Sequence, residues 1–471
     1  METEKFDAIV IGAGQGGGPL ARSFAQSGKK TALVEREFPG GTCVNWGCTP
    51  TKTMIASGRV AHLARRAADY GVHTGNISID MPRIRQRKRD IVEMFREGSR
   101  SGIDSTAGLE YIEGDATFTG DKTLSIALNG GGRRELRAEI IVLDVGERFR
   151  ELDPGIAEGV SLHNAGTIME LDDVPEHLLI IGGGPIALEF SQLFRRLGAE
   201  VTVLNRGPQI LSREDADIAE AVAEILEQDG IRIERNASPS RIVKAEDDVI
   251  VTILRDNSEQ SNLRVSHVLV AAGRAPNTEG LGLAETGVRI DDKGYIPTDD
   301  RLKTNVAGIY AIGDVRPGPK FTHISYDDYR ILKANLIDGD DRTIKERLVP
   351  ATTFIDPQLG RIGLSEREAQ KKGIRYLVAA MPMSRVARAL ETDETRGLMK
   401  ILVHAETERI LGAAILGIEG GEIASMLQIA MMGDLPYTAL RDGVFAHPGL
   451  AEALNNVFGN LAEPTHQFIP T

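Results

Sequence analysis

The chain has 471 residues, 26% of them charged, with a formal net charge of -13 and an isoelectric point near 5.3. That length exceeds a single hydrophobic core and predicts about three domains. The acidic balance excludes an electrostatic attraction to nucleic acid or to an anionic membrane, since both reward clustered Lys and Arg. No apolar run reaches the roughly 18 residues that a bilayer-crossing helix needs. The opening METEKFDAIVIGAG is too short and too glycine-broken for a signal peptide. With two cysteines, the chain reads as soluble and cytoplasmic, in a compartment where a disulfide is transient and catalytic.

In chain order, Phe6 to Ile11 is an apolar strand that runs into Gly12-Ala13-Gly14-Gln15-Gly16-Gly17 and then a helical pattern to Ser27. This is a dinucleotide fingerprint. Gly12 allows the tight turn, Gly14 the close approach of backbone to pyrophosphate, and Gly17 the packing of helix on strand. Glu35, at the end of the next strand, is placed to accept from a ribose.

Next comes Gly40-Gly41-Thr42-Cys43-Val44-Asn45-Trp46-Gly47-Cys48-Thr49-Pro50-Thr51-Lys52, which holds both cysteines. On a straight helix two residues at this spacing stand on different faces, too far apart for a disulfide, so a redox pair requires a bend. Gly47 and Pro50 suit a distorted turn that enters a helix. The alternative is two unrelated buried thiols. Residues 53–104 read as mainly helical, with the basic run Arg83 to Arg89 as a solvated face. Residues 110–146 read as a small antiparallel meander around Asn129-Gly130-Gly131-Gly132.

The first unit then recurs in register. Gly12 maps on Gly182, Gly14 on Gly184, Gly17 on Ala187, Gly28 on Gly198 and Glu35 on Asn205. Two dinucleotide modules imply electron transfer between two cofactors, one fixed and one exchanged. Strands near Val249 to Leu254 and His267 to Ala271 lead to Gly273-Arg274-Ala275-Pro276-Asn277-Thr278. A later strand ends in Gly313-Asp314. Further strands near Gly360 to Leu364, Met399 to Val403 and Leu411 to Leu416 precede helices and Ala446-His447-Pro448-Gly449-Leu450-Ala451-Glu452.

Those motifs together resemble the class I flavoprotein disulfide reductases: glutathione reductase, dihydrolipoamide dehydrogenase, mercuric reductase and relatives. The resemblance implies an α/β fold of two Rossmann-like domains plus a C-terminal α+β dimerisation domain. Its expected parts are 1–148 and 276–345 for FAD, 149–275 for NAD(P)H, and 346–471 for dimerisation. It implies a redox disulfide between Cys43, which meets substrate, and Cys48, which faces the flavin. FAD would be held by Gly12, Gly14, Gly17, Glu35, Gly41, Thr42, Lys52, Gly114, Gly146 and Asp314. The nicotinamide nucleotide would be held by Gly182, Gly184, Ala187, Asn205, Arg206 and Gly273. It further implies that Lys52 pairs with Glu189 beside the flavin. His447, oriented by Glu452, would serve the partner subunit's cysteine pair as acid and base, which makes the protein a homodimer.

Departures narrow the reading. Pro185 stands where glutathione reductase has a gating tyrosine, and Asn205 stands where an NAD site keeps an acid. With Arg206 and Arg213 nearby, the uncharged Asn205 favours NADPH, with NADH possible. The terminal segment Glu463 to Thr471 carries no cysteine pair for mercuric ion, and no metal site is expected. Phe321 to Asp328 and Leu435 through Asn455 are most similar to the reactive-chlorine-resistance flavoproteins, which reduce hypothiocyanous acid or copper(II). The expected substrate is therefore a small oxidant or metal ion. A dihydrolipoamide dehydrogenase and a slow flavin-binding redox sensor are the alternatives.

Overall fold

The computed structural model describes residues 3–464 except 154 and 247, so most of the C-terminal segment singled out above lies outside the described residues. The chain divides into two compact units, Met1–Met54 with Pro82–Arg150 and Gly273–Arg347, and Ile55–Met81 with Glu151–Ala272 and Leu348–Thr471.

In the first unit the strand Glu4–Ile11 runs parallel to Thr31–Glu35 on one side and to Arg133–Leu143 on the other. Its AIVI run is buried throughout, as a strand covered on both faces requires. One face carries the helix Gly17–Gln26 through Leu20, Ala21 and Phe24. Leu20 and Phe24, both fully buried, each contribute about 1.5–3 kcal/mol. Residues Leu109–Gly120, Thr123–Leu128 and Arg133–Leu143 form the expected antiparallel meander. The two outer strands are long enough to serve the parallel sheet as well, through Thr31–Glu35 and through Ile309–Ala311.

The second unit holds a parallel sheet in the order Arg232–Arg235, Glu200–Asn205, His177–Ile181, His267–Val270. Its fingerprint helix, Pro185–Leu197, begins with Pro185, where a missing N–H costs nothing. A second sheet of the unit runs Ala351–Thr353, Gln358–Gly363, Ile410–Gly417, Leu398–His404, Tyr376–Pro382, Leu461–Ala462, with every neighbouring pair antiparallel. The helices Gly420–Met432 and Ala453–Phe458 bury Ile423, Leu427, Leu454 and Phe458 in its core.

Residues 53–104 are mainly helical, as expected: the helices Cys48–Arg65 and Met81–Asp104 are joined by a 3₁₀ turn, Ala67–Tyr70, and a stretch of irregular chain. Tyr70-Gly71 and the polar run that follows offer too little apolar periodicity to continue a helix. The basic run lies on the second of these helices with Arg83, Arg87 and Arg89 exposed, as a solvated face requires; the one correction is Lys88, which is buried, and Arg87 Nη1 donates to the Thr53 carbonyl at 2.8 Å.

Lys400 ties the second unit together. Its ammonium, on a side chain 5% exposed, meets Glu366 at 2.6 Å, Asp217 at 2.7 Å and Asp215 at 3.4 Å. Removing the cation leaves three half-buried carboxylates facing one another uncompensated. Lys400→Met is expected to cost about 3–5 kcal/mol and to lower the thermal unfolding midpoint; an unchanged midpoint would refute this account.

Candidate active site

The cysteine segment is anchored to the first glycine loop by backbone. Gly40 N donates to the Ala13 carbonyl at 2.8 Å, and Gln15 Nε2 donates to the Gly40 carbonyl at 3.0 Å. Gly40 and Gly41 take left-handed φ values of 96° and 61°. A Cβ on Gly41 would lie 2.9 Å from Gly14 Cα, so the close approach itself requires glycine. The helix Gly41–Asn45 stops at Trp46 and a new helix starts at Cys48, which supplies the bend. Gly47 sits so close to the Thr42 carbonyl that a Cβ would come within 2.9 Å of it. Asn45 braces the turn: its amide donates to the Pro39 and Gly41 carbonyls, and its carbonyl accepts from Arg96 Nε at 2.9 Å.

Cys43 is half-buried and Cys48 exposed, and both are free thiols. The hydrogen bond from Cys43, aided by the Thr322 hydroxyl and by the charges of Lys52 and Arg274, lowers Cys48 to about 5. Cys43 is pushed up by the same bond and by burial. Thr322 Oγ1 lies 3.4 Å from Cys48 Sγ and opens the helix Thr322–Lys333, whose N-terminal dipole also favours a thiolate.

The first glycine loop has the features that a bound dinucleotide requires. Gly12 (φ 100°) has no room for a Cβ against the Asp144 carbonyl, and Gly17 has none against the Gly12 carbonyl. Glu35 accepts from Ala13 N at 2.8 Å and Glu37 N at 2.9 Å, and burial raises its carboxyl. Gly114 is glycine for another reason: a Cβ there would come within 2.6 Å of the Ala127 carbonyl on the paired strand. Gly146 and Gly273 need their left-handed φ of 62° and 114°. Asp314 lies in the 3₁₀ turn Gly313–Val315, 3.4 Å from Arg274, and burial raises it to about 6.

In the second module, a Cβ on Gly182 would strike the Ala271 carbonyl, and one on Gly183 would strike the Asn205 side chain. Space beside Gly184 is open, and Ala187 is buried. Asn205 turns its amide back to the Gly207 and Gln209 carbonyls at 2.7 and 3.0 Å. Arg206 and Arg213 are exposed, and among the described residues neither side chain forms an ion pair. Glu189 is buried and accepts from Phe354 N at 2.8 Å. His447, 67% exposed, has Nδ1 2.9 Å from Glu452 Oε2, so the dyad is formed.

Sequence reasoning missed four groups. Thr322 and Arg274 act on Cys48, as described. Asp328, 0% exposed, accepts from Gly313 N at 2.9 Å and is clamped by Arg316 and Arg347, which fixes the turn bearing Asp314. Asp144 accepts from Gly17 N at 2.7 Å. The only signal for it is an acid that closes the apolar strand Ile140 to Leu143. Among the described residues no group of three or more His, Cys, Asp or Glu is placed to hold a metal ion, and no helix is long and apolar enough to cross a membrane.

Residues 6–328 match the family model "Pyridine nucleotide-disulphide oxidoreductase", and 349–458 match its dimerisation domain. The probable pyridine nucleotide-disulfide oxidoreductase RclA of Escherichia coli is 34% identical over 96% of this chain and 99% of that protein. A dihydrolipoyl dehydrogenase of Haloferax volcanii is 33% identical over 98% of this chain and 97% of its own. A solved structure, the Cu(II) complex of HOCl-induced flavoprotein disulfide reductase RclA from Escherichia coli, superposes with a TM-score of 0.86 at 32% identity. It covers 98% of this chain and 99% of that one.

In the reduced protein the ultraviolet thiolate absorbance, taken as the difference between wild type and Cys48→Ser, is expected to persist down to about pH 5. Cys43→Ala removes the donor and should move the midpoint upward. The same midpoint in that variant would show that Cys43 is not the donor.

Proposed function

The chain belongs to the pyridine nucleotide-disulphide oxidoreductases, and we propose that it is a flavoprotein that uses NADPH to reduce a small oxidant, hypothiocyanous acid or copper(II), at Cys43. The observation that carries this reading is the pair of free cysteines on one bent segment packed on the first glycine loop, in a sequence with two cysteines. Electrons then leave through Cys43 itself, so the acceptor has to be small enough to reach it. The similarity to a protein solved with Cu(II) supports the metal-ion arm.

Bound FAD supplies a two-electron carrier between the pyridine nucleotide and the disulfide. The chain's own groups do the rest. With the pair reduced, the Cys43 sulfur, deprotonated by His447, attacks the sulfur of hypothiocyanous acid. A sulfenyl thiocyanate forms and hydroxide leaves, taking the proton from His447 as water. Cys48 thiolate then attacks Cys43 Sγ, releasing thiocyanate and closing the disulfide. Two copper(II) ions would instead each take one electron from the pair. In this reading Glu452 orients His447. The dimerisation-domain match supports a homodimer, and His447 is assigned to the partner subunit's cysteines.

NADPH is favoured because Asn205 presents no carboxylate, while Arg206 and Arg213 are free to meet a 2'-phosphate. Arg206→Ala is expected to raise KM for NADPH about tenfold with kcat kept, the equivalent of one charge-assisted hydrogen bond. Equal or better efficiency of the wild type with NADH would overturn the preference.

Catalytic efficiency measured anaerobically across acceptors tests the substrate. Hypothiocyanous acid or copper(II) should exceed lipoamide, glutathione disulfide and mercuric ion. A clear preference for lipoamide would make the chain a dihydrolipoamide dehydrogenase, the reading favoured by its similarity to the Haloferax enzyme. Mixing inactive Cys43→Ala and His447→Ala subunits should restore about a quarter of wild-type activity, because half the dimers are hybrids with one intact site. No recovery after subunit exchange would refute the shared site.

A further inference from the structure

Asp144 occupies an unusual place for an acid. It follows the last residue of the strand Arg133–Leu143 and points into the first glycine loop, with the residue only 8% exposed. Its Oδ2 accepts from Gly17 N at 2.7 Å, the first N–H of the helix Gly17–Gln26, which has no side-chain cap and no acid of its own in its first turn. Glycines surround the carboxyl. A Cβ on Gly14 would lie 2.7 Å from Oδ2, one on Gly17 2.9 Å from Oδ2, and one on Gly313 2.7 Å from Oδ1. The loop and the Gly313 turn thus leave room for this one side chain. Among the described residues, Oδ1 has no donor and the carboxyl has no cationic partner.

A dinucleotide pyrophosphate is drawn to the same helix N-terminus by the same N–H groups. Two anions there would repel. The charged neighbours offer no relief, because those that face Asp144 are acids: Glu35 at the end of the adjacent strand, Asp314 in the Gly313 turn, and Asp328 on the helix Thr322–Lys333. Arg316 and Arg347 are taken up by Asp328, and Arg274 by Asp314. Burial and these acids all raise Asp144 well above the usual carboxylate range.

We propose that Asp144 is a proton-carrying anchor for bound FAD: as the neutral acid it keeps Gly17 N on Oδ2 and presents an O–H on Oδ1 to the phosphates, so that FAD binding takes up one proton from solution. The proton is returned when FAD leaves, and no redox step is involved. FAD retention therefore weakens as pH rises through the range in which free Asp144 ionises. This inference rests on the assignment of the first glycine loop to FAD.

The test is the equilibrium release of FAD from diluted holoenzyme, read by flavin fluorescence between pH 6 and pH 9. Wild-type Kd is expected to rise about tenfold per pH unit over part of that range, the slope of one linked proton. Asp144→Asn, isosteric with the neutral acid, should flatten the profile and keep FAD at high pH as tightly as wild type does at low pH. Asp144→Ser removes the titrating group without adding bulk; it should be flat as well, and it covers the case in which the asparagine variant does not fold. A flat wild-type profile, or an unchanged slope in the variants, would overturn the proposal. So would loss of FAD at every pH from an Asp144→Asn protein with native circular dichroism. Failure of the wild type to carry FAD at any pH would instead remove the flavin assignment itself.

Discussion

The contact between Gly41 and Gly14 is one that no side chain can enter, and the geometry of the redox segment depends on it. It presses the start of the cysteine segment on the first glycine loop, backbone against backbone, with Gly40 N and Gln15 as additional ties. From that fixed start, the short helix Gly41–Asn45, the break at Trp46-Gly47 and the helix from Cys48 leave no freedom in where the two sulfurs stand. Asn45 and Arg96 brace the break from outside. The redox pair and the dinucleotide loop are in this sense one structural object.

Electrostatics follow the same economy. A buried carboxylate is tolerated only when it is paired or protonated, and both solutions occur around the Gly313 turn. Asp328 takes two arginines and a backbone N–H. Asp144 takes only a backbone N–H and is raised instead. Asp314 lies between these extremes, with one arginine at 3.4 Å and a value of about 6. On the cysteine pair, the hydrogen bond that lowers one sulfur raises the other.

Much of this was legible in the residues. The glycine spacing of both modules predicted tight backbone approaches, and Gly12, Gly17 and Gly182 make them. His447 and Glu452 were paired by a short motif and meet in space. What escaped detection depends on partners distant in sequence: Gly17 and Asp144 are 127 residues apart, and Cys48 and Thr322 are 274 apart. No local periodicity encodes such a meeting. The bounds of the helix Met81–Asp104 escaped for a different reason, since its 24 residues carry so much charge that the apolar stripe is thin. Lys88, inside a run of arginines, looks solvated until the fold buries it.

The first unit is assembled from three separated stretches of chain, and this has a consequence for its synthesis. The strand Ile309–Ala311 pairs with Ile141–Leu143, and the same late stretch carries the Gly313–Asp314 turn that closes around Asp144. A ribosome adding about 5–20 residues per second needs on the order of ten seconds or more to pass from one to the other. Throughout that interval the apolar edge of Arg133–Leu143 has no neighbour on that side and is exposed to wrong pairing. The second glycine module, all of whose parallel strands lie between these two stretches, completes its own sheet first. The nascent chain therefore finishes its later-numbered module before its first, and the first loop becomes competent to capture a cofactor only when most of the chain has been made.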